Sequence, residues 1–484
     1  TYLLMILTAH MQLAYLSAWV LGAYFTFYQI RLFVRKESTI VSVFKQIAAF
    51  LLGVFICVGI AAVQIIPATD YLSLYSQRQQ QQERGYEYST SWSLHFPEML
   101  SMLNPEFGGT NVGKNTYWSK NPFKLNSDYA GIIAIVLALL ALFISTRSER
   151  WFFLGASIFT SIYALGANTP FYRIFYHLIP KVDKFRAPSM IIFLFGFSVI
   201  MLAVFALEAI ADPKRRKSID KKVLNNFILS ISGLFVIGSL VLSAGKLSVL
   251  KIFNGAMDQN QLAQANNAIS AAIPIAWLNT FFVIVLLALI WAWYNNRIKS
   301  IIVISVLSVI VLIDTWRVDK DYIQIVDPNP YYGKTPVVDY LLERQNEEGP
   351  FRVFIMPETF NMNDSYLANF GIDEVTFSQL HGNQIVWYDR FVGRLSQPPH
   401  IYYPHFWDIL NVRYVVTRRQ LPAEWINHLN PIGQIGGVMV YENNNSLPRA
   451  SLYRNYEVLP AGEGEYGSER YLELLKQGKI DYTK

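Results

Sequence analysis

Apolar runs separated by loops that are basic at every second position constrain this chain more than any other feature. A helix that crosses a bilayer needs about 20 mostly apolar residues. Such runs are read at Tyr2–Tyr28, Ile47–Pro67, Tyr129–Ser145, Trp151–Leu165, Pro188–Ile210, Val223–Ser243, Ile273–Tyr294 and Ile301–Thr315. The fourth and the last are short and call for tilt, flanking aromatics or neighbouring helices. Alternate loops carry Arg31, Arg35, Lys36 and Lys45; then Arg147 and Arg150; then Lys214, Arg215, Arg216, Lys217, Lys221 and Lys222; then Arg297 and Lys299. Against these 14 cations stand four acids, Glu37, Glu149, Asp212 and Asp220. The positive-inside rule makes the four loops cytoplasmic and puts both ends of the chain outside. The expected fold is a polytopic α-helical membrane bundle of about eight transmembrane helices, followed by an extracytoplasmic α+β domain.

Composition agrees. Only 16% of the 484 residues are charged and 52% are hydrophobic, whereas a soluble chain is nearer a quarter charged. Residues 1–315 hold 25 Lys and Arg against 14 Asp and Glu, and the remainder holds 16 against 21. A basic part followed by an acidic part implies two environments. No aromatic-and-basic groove motif is present, so nucleic acid is not an expected partner. The single cysteine, Cys57, lies in an apolar run, so the outer domain must hold by packing alone. Thr1 already stands inside an apolar run, and the chain reads as a fragment without its natural beginning.

The transmembrane domain is expected over 1–315, with extracytoplasmic loops at 68–128, 166–187 and 244–272. In the loop 166–187, Phe171–Ile179 wraps apolar residues round Arg173 and His177 and reads as an interfacial helix. Residues 316–484 lose the membrane pattern. Phe351–Ile355, Val412–Thr417, Val438–Glu442 and Ala450–Val458 have strand composition. Thr335–Arg344, Gln384–Leu395 and Ser468–Gln477 have helical periodicity.

Four segments carry a family resemblance: Leu165-Gly-Ala-Asn-Thr-Pro-Phe-Tyr172, Lys184-Phe-Arg-Ala-Pro-Ser189, Leu410-Asn-Val-Arg-Tyr-Val-Val416 and Val440-Tyr-Glu-Asn-Asn-Asn-Ser-Leu-Pro-Arg-Ala450. In this order, with the membrane pattern between them, the chain resembles the YfhO-like bacterial membrane proteins. The resemblance implies a GT-C-type glycosyltransferase of the cytoplasmic (inner) membrane. Such an enzyme takes a sugar from a polyprenyl-phosphate carrier and transfers it to a cell-envelope glycan acceptor outside. It also implies a catalytic carboxylate in a first loop upstream of Thr1, and further sequence after Lys484, so no catalytic residue is assigned.

The most informative local feature is basic charge on the expected outer side. Arg173, Lys181, Lys184 and Arg186 face only Asp183 there, against the positive-inside trend. A lipid-linked phosphate would offset the excess, with Arg giving bidentate contacts and Lys a point charge. Anchoring to lipid headgroups is the plainer account. The loop 68–128 holds Asp70, Glu83, Glu87, Glu98, Glu106 and Asp128, any of which could serve an acceptor hydroxyl as base. Asp128 stands out because it directly precedes a membrane run, where a helix cap is the ordinary role. His10 and Gln12 interrupt the first run, and polar residues in such places are costly. Asp128, His10 and Gln12 are therefore acceptor-side candidates. Glu208 and Asp314 are expected to reach the interface.

No cofactor motif is evident. The seven histidines are scattered, without HExxH or paired spacing; no zinc site is assigned and a divalent metal is left open. Walker, GxGxxG and nucleophile-elbow motifs are absent, which disfavours ATP-driven transport and nucleotide-dependent soluble chemistry. Two other readings stand beside the glycosyltransferase. One is a lipid or polysaccharide transporter or flippase, disfavoured by the scarcity of midplane charge. The other is a non-catalytic envelope assembly protein.

Overall fold

The computed structural model describes residues 2–8, 10–75, 85–112, 114, 116–119, 121, 127–246, 248, 252, 258–356, 359, 366–375, 385–393, 398–453 and 468–480. The chain divides into two compact units: residues 1–64 with 83–324, and residues 65–82 with 325–484.

The first unit is helical. Five helices are long and apolar enough to cross a membrane among the described residues: Ile40–Tyr71, Pro188–Ala211, Lys221–Ala244, Gln259–Tyr294 and Ser300–Tyr322. The shorter apolar helix Ile132–Ile144 has 13 residues, about 20 Å at 1.5 Å per residue, well under the hydrocarbon thickness. Glu149–Ala164 coincides with the fourth apolar run. The first run is not one helix. Tyr2–Leu7 ends, and a new helix, Met11–Val34, starts after His10. The polar pair His10 and Gln12 therefore marks a helix break.

Burial sorts these helices. Ile132–Ile144 is covered almost all round, burying Ile132, Ile133, Val136, Leu137, Leu140 and Ile144. It packs on Ile192–Ala211 through Val199, Leu202, Ala203 and Ala206. Helix Ile40–Leu74 is the opposite case: Phe44, Leu51, Phe55, Val63 and Ile66 are all exposed. The helix packs on one side, through Phe50 on Phe25; an apolar face left uncovered among the described residues is expected of a helix against lipid.

Helix starts are locally encoded. Asp220 accepts from the Lys222 backbone N–H at 2.7 Å. Asp258 and Gln261 form a reciprocal capping box at 2.8 and 3.1 Å. The alternate basic loops meet through side chains at one end of the unit. Arg31 pairs with Glu149, Arg147 clasps Glu208 at 2.9 and 2.6 Å, Arg215 joins Glu208 at 2.8 Å, and Arg216 donates to the Trp293 carbonyl at 3.0 Å.

Asp314 departs from expectation. It is 1% exposed rather than at an interface. Its carboxylate accepts from the Tyr129 hydroxyl at 2.8 Å, the Ile132 N–H at 3.2 Å and Arg317 at 3.0 Å. Arg317 also donates to the Asn279 side-chain Oδ1 at 3.0 Å. A buried acid is tolerable only when so compensated.

The second unit is built on a five-stranded sheet. Its strands are β1 (Arg352–Ile355), β2 (Asp373–Val375), β3 (Val412–Thr417), β4 (Asn430–Ile435) and β5 (Val438–Glu442), in spatial order β2-β1-β3-β5-β4. β1 is parallel to both β2 and β3, while β3, β5 and β4 run antiparallel. The register sets Val353 beside Tyr414 and Phe354 beside Val415. Side chains alternate between two cores. Val353, Tyr414, Val416, Val438 and Val440 pack with Val337 and Leu341 of helix Pro336–Glu348. On the other face Phe354, Val415 and Tyr441 pack with Trp407 of helix Pro404–Ile409. Burial on both faces explains the apolar stretch Tyr414-Val415-Val416 of β3. Gly436 and Gly437, at φ +58° and +85°, make the two-residue turn between β4 and β5 that positive φ at both positions requires.

Of the expected strands, Ala450–Val458 is not found as one: residues 450–453 are irregular, and 454–458 lie outside the described residues. Helices Val386–Val392 and Ser468–Lys476 occupy two of the expected helical segments.

Candidate functional site

The basic segment Arg173–Arg186 is assembled round residues 86–92. Helix Tyr86–Thr90 is short and is followed by a turn carrying Trp92. The Arg186 guanidinium lies 4.0 Å from the centre of the Trp92 ring, and its own carbonyl accepts from the Trp92 N–H at 3.1 Å. Arg173 lies 5.6 Å from the Tyr86 ring centre. Both contacts are of cation–π type. Gln12 donates to the Ala187 carbonyl at 2.8 Å, so one acceptor-side candidate positions the residue next to Arg186. Ser189 bonds the Trp92 carbonyl at 2.8 Å.

Beneath these contacts the segment is anchored in an aromatic core. Tyr163, Tyr172, Leu16, Leu94, Val182 and Ile191 are all buried there. The Tyr172 hydroxyl meets Ser89 at 3.0 Å, and burial raises its pKa, so it stays a neutral hydrogen-bonding group. Tyr15 bonds the Pro180 carbonyl. Helix Phe171–Leu178 exposes Phe171, Ile174 and Leu178 while Tyr172 is buried. That amphipathic pattern matches the interfacial helix expected from the sequence.

The four basic candidates differ in electrostatics. Lys184 pairs with Asp183 at 3.0 Å. Among the described residues Arg173, Lys181 and Arg186 make no ion pair. Lys181 is exposed and takes a left-handed conformation at φ +70°. Rings hold the two arginine side chains, and among the described residues no carboxylate neutralises them.

The remaining candidates lie apart. His10 is exposed at the start of helix Met11–Val34. Asp128 does not cap the following helix, whose N-cap is Gly131; the Ile132 N–H is taken by Asp314 from another helix. Of the acids in loop 68–128, Glu98 is buried and committed. It accepts from Tyr117 at 3.0 Å, Ser119 at 3.2 Å and the His95 N–H at 2.9 Å. This is a loop-ordering role.

An apolar cavity of about 540 Å³ in the same unit is lined by residues that include Leu103, Asn104, Phe107, Leu139 and Phe235. Asn104 is turned to the Ala272 carbonyl at 2.8 Å.

In the second unit His405, Asp408 and His428 converge, with ligand atoms all within 4.8 Å of one another. The sequence pattern did not single them out. His405 and Asp408 are three apart on one helical turn, and His428 comes from a later segment, which no metal motif describes.

Comparison with protein-family models, with curated proteins and with solved structures finds no match to this chain.

Proposed function

We propose that this chain is part of a multi-pass glycosyltransferase of the bacterial cytoplasmic membrane, with a GT-C-like bundle of about eight spans. It moves a sugar from a polyprenyl-phosphate carrier to a cell-envelope acceptor on the outer side. The carrier phosphate is received by Arg186 and Arg173, with Lys181 and Lys184 adding charge. The observation that carries this reading is the pair of arginines held on Trp92 and Tyr86 without a carboxylate partner among the described residues. Preorganised, unneutralised guanidinium groups beside an interfacial helix suit a phosphate at the bilayer surface. The apolar cavity of about 540 Å³ is of the size and lining that an isoprenoid segment would occupy.

The test uses the full-length protein, including whatever precedes Thr1, with labelled polyprenyl-phosphate sugars and envelope acceptor. Transfer that falls with Arg186→Ala supports the enzyme. Carrier binding with translocation but no transfer would replace the enzyme by a flippase. No carrier binding at all would leave an assembly role.

A further inference from the structure

We propose that His405, Asp408 and His428 form a binding site for a divalent transition metal ion of the zinc class, with one coordination position open to solvent. The inference is independent of the carrier reading and concerns the second unit alone. The residue types are right: two imidazoles and one carboxylate are a common three-ligand set, and water completes an open site. Spacing agrees too. In a tetrahedral site with bonds of about 2.0–2.1 Å, neighbouring ligand atoms stand roughly 3.3 Å apart. Here His428 Nε2 lies 3.1 Å from Asp408 Oδ2, and His405 Nδ1 lies 3.8 Å from that same oxygen. Shifts of up to about 0.5 Å bring these two edges to that length, and the third, between the imidazoles, lies within 4.8 Å.

The supporting groups hold the ligands in place. Asp408 is fully buried. Its Oδ1 accepts from Asn443 Nδ2 at 2.8 Å and lies 2.9 Å from His428 Nε2; the Asn443 bond is the kind of outer contact that orients a ligating carboxylate. Its backbone carbonyl accepts from Leu447 N–H at 2.9 Å, fixing the helical turn. His405 has its Nε2 side closed by the chain at Gly478, where an added Cβ would come within 2.5 Å; its Nδ1 faces the carboxylate. A hydrogen bond from His428 to Asp408 accounts for one pair. The second imidazole, His405, stands edge-on to the first, with ring centres 5.5 Å apart.

The experiment takes the whole chain in detergent, purified through a histidine-free tag and stripped with a chelator, and titrates it with Co²⁺. The expected result is one equivalent bound with the intense visible absorption of tetrahedral cobalt, displaced by Zn²⁺. His405→Ala leaves the Asn443–Asp408–His428 bonds untouched, and His428→Gln keeps a donor for Asp408. Each should raise the dissociation constant by more than about 100-fold, beyond what loss of an outer contact does. Absence of stoichiometric uptake by wild type, or uptake unchanged in both variants, would overturn the site.

Discussion

Arg186 is the residue on which the carrier reading turns. Its guanidinium is stacked on Trp92 and its backbone is tied to Trp92 and, through Ala187, to Gln12. Removing the side chain should therefore leave the loop in place. A charge-assisted contact to phosphate contributes about 1.5–3 kcal/mol, roughly ten- to a hundredfold in affinity. Arg186→Ala is expected to weaken carrier binding by that factor with unchanged protein accumulation. Arg186→Lys should recover only part, because an ammonium keeps charge and loses the planar fork. Equal carrier affinity in wild type and both variants would leave headgroup anchoring as the account. A second residue-scale expectation concerns Arg317. Replacing it by Met strands the Asp314 carboxylate, 1% exposed, without its cation. Stranding a buried charge costs about 3–5 kcal/mol. Thermal unfolding in detergent should show that loss, and a cost under about 1 kcal/mol would mean that the pair behaves like a solvated one.

At the scale of elements, the turn after helix Glu149–Ala164 decides whether the basic segment is presented at all. Gly166 has φ +48°, and an added Cβ would lie 2.0 Å from Ser93 Oγ. Gly166→Ala combines left-handed strain of about 1–3 kcal/mol with that clash. It is expected to lower the melting temperature and, because Ser93 adjoins Trp92, carrier affinity as well. Ser93→Gly in the same protein should restore part of both; no restoration would assign the whole effect to the backbone. Elements differ in how openly the sequence announces them. β3 and β5 were legible because Val-Arg-Tyr-Val-Val-Thr and Val-Met-Val-Tyr-Glu are rich in β-branched and aromatic residues. β2, Asp-Glu-Val, and β4, Asn-Pro-Ile-Gly-Gln-Ile, were not. Both are edge strands, where a partner on one side only tolerates proline, glycine and acids. The site divides the same way. Local charge counting found Arg173, Lys181, Lys184 and Arg186, which are close in sequence. Trp92 and Tyr86, the rings that hold two of them, come from 80 or more residues away and left no pattern. His405, Asp408 and His428 were missed for the same reason.

The whole molecule is governed by alternation of its loops, and orientation is the property most exposed to test. Side chains from the alternate basic loops meet: Arg31 with Glu149, Arg147 and Arg215 with Glu208, Arg216 with the Trp293 carbonyl. Loops that share one end of a bundle must share one side of the membrane. The positive-inside rule predicts, from the excess of Lys and Arg there, that this side is cytoplasmic. Single cysteines at Arg35, Lys217 and Lys299, all exposed, should then resist a membrane-impermeant thiol reagent in intact cells and react after permeabilisation. Glu87, Lys184 and Arg418, also exposed, should react without permeabilisation. Buried positions such as Tyr414 would be uninformative, since the packing of the sheet protects them whatever the side. The background is Cys57→Ala, because the single natural thiol lies on the largely exposed helix Ile40–Leu74. Labelling of Lys217→Cys in intact cells would invert the orientation. Labelling of Arg418→Cys only after permeabilisation would place the sheet domain in the cytoplasm, away from any acceptor outside the membrane. The first outcome would remove the extracytoplasmic transfer reaction, because the basic segment would no longer meet the carrier phosphate and the acceptor on one side of the bilayer; the second would remove the sheet domain from any part in it.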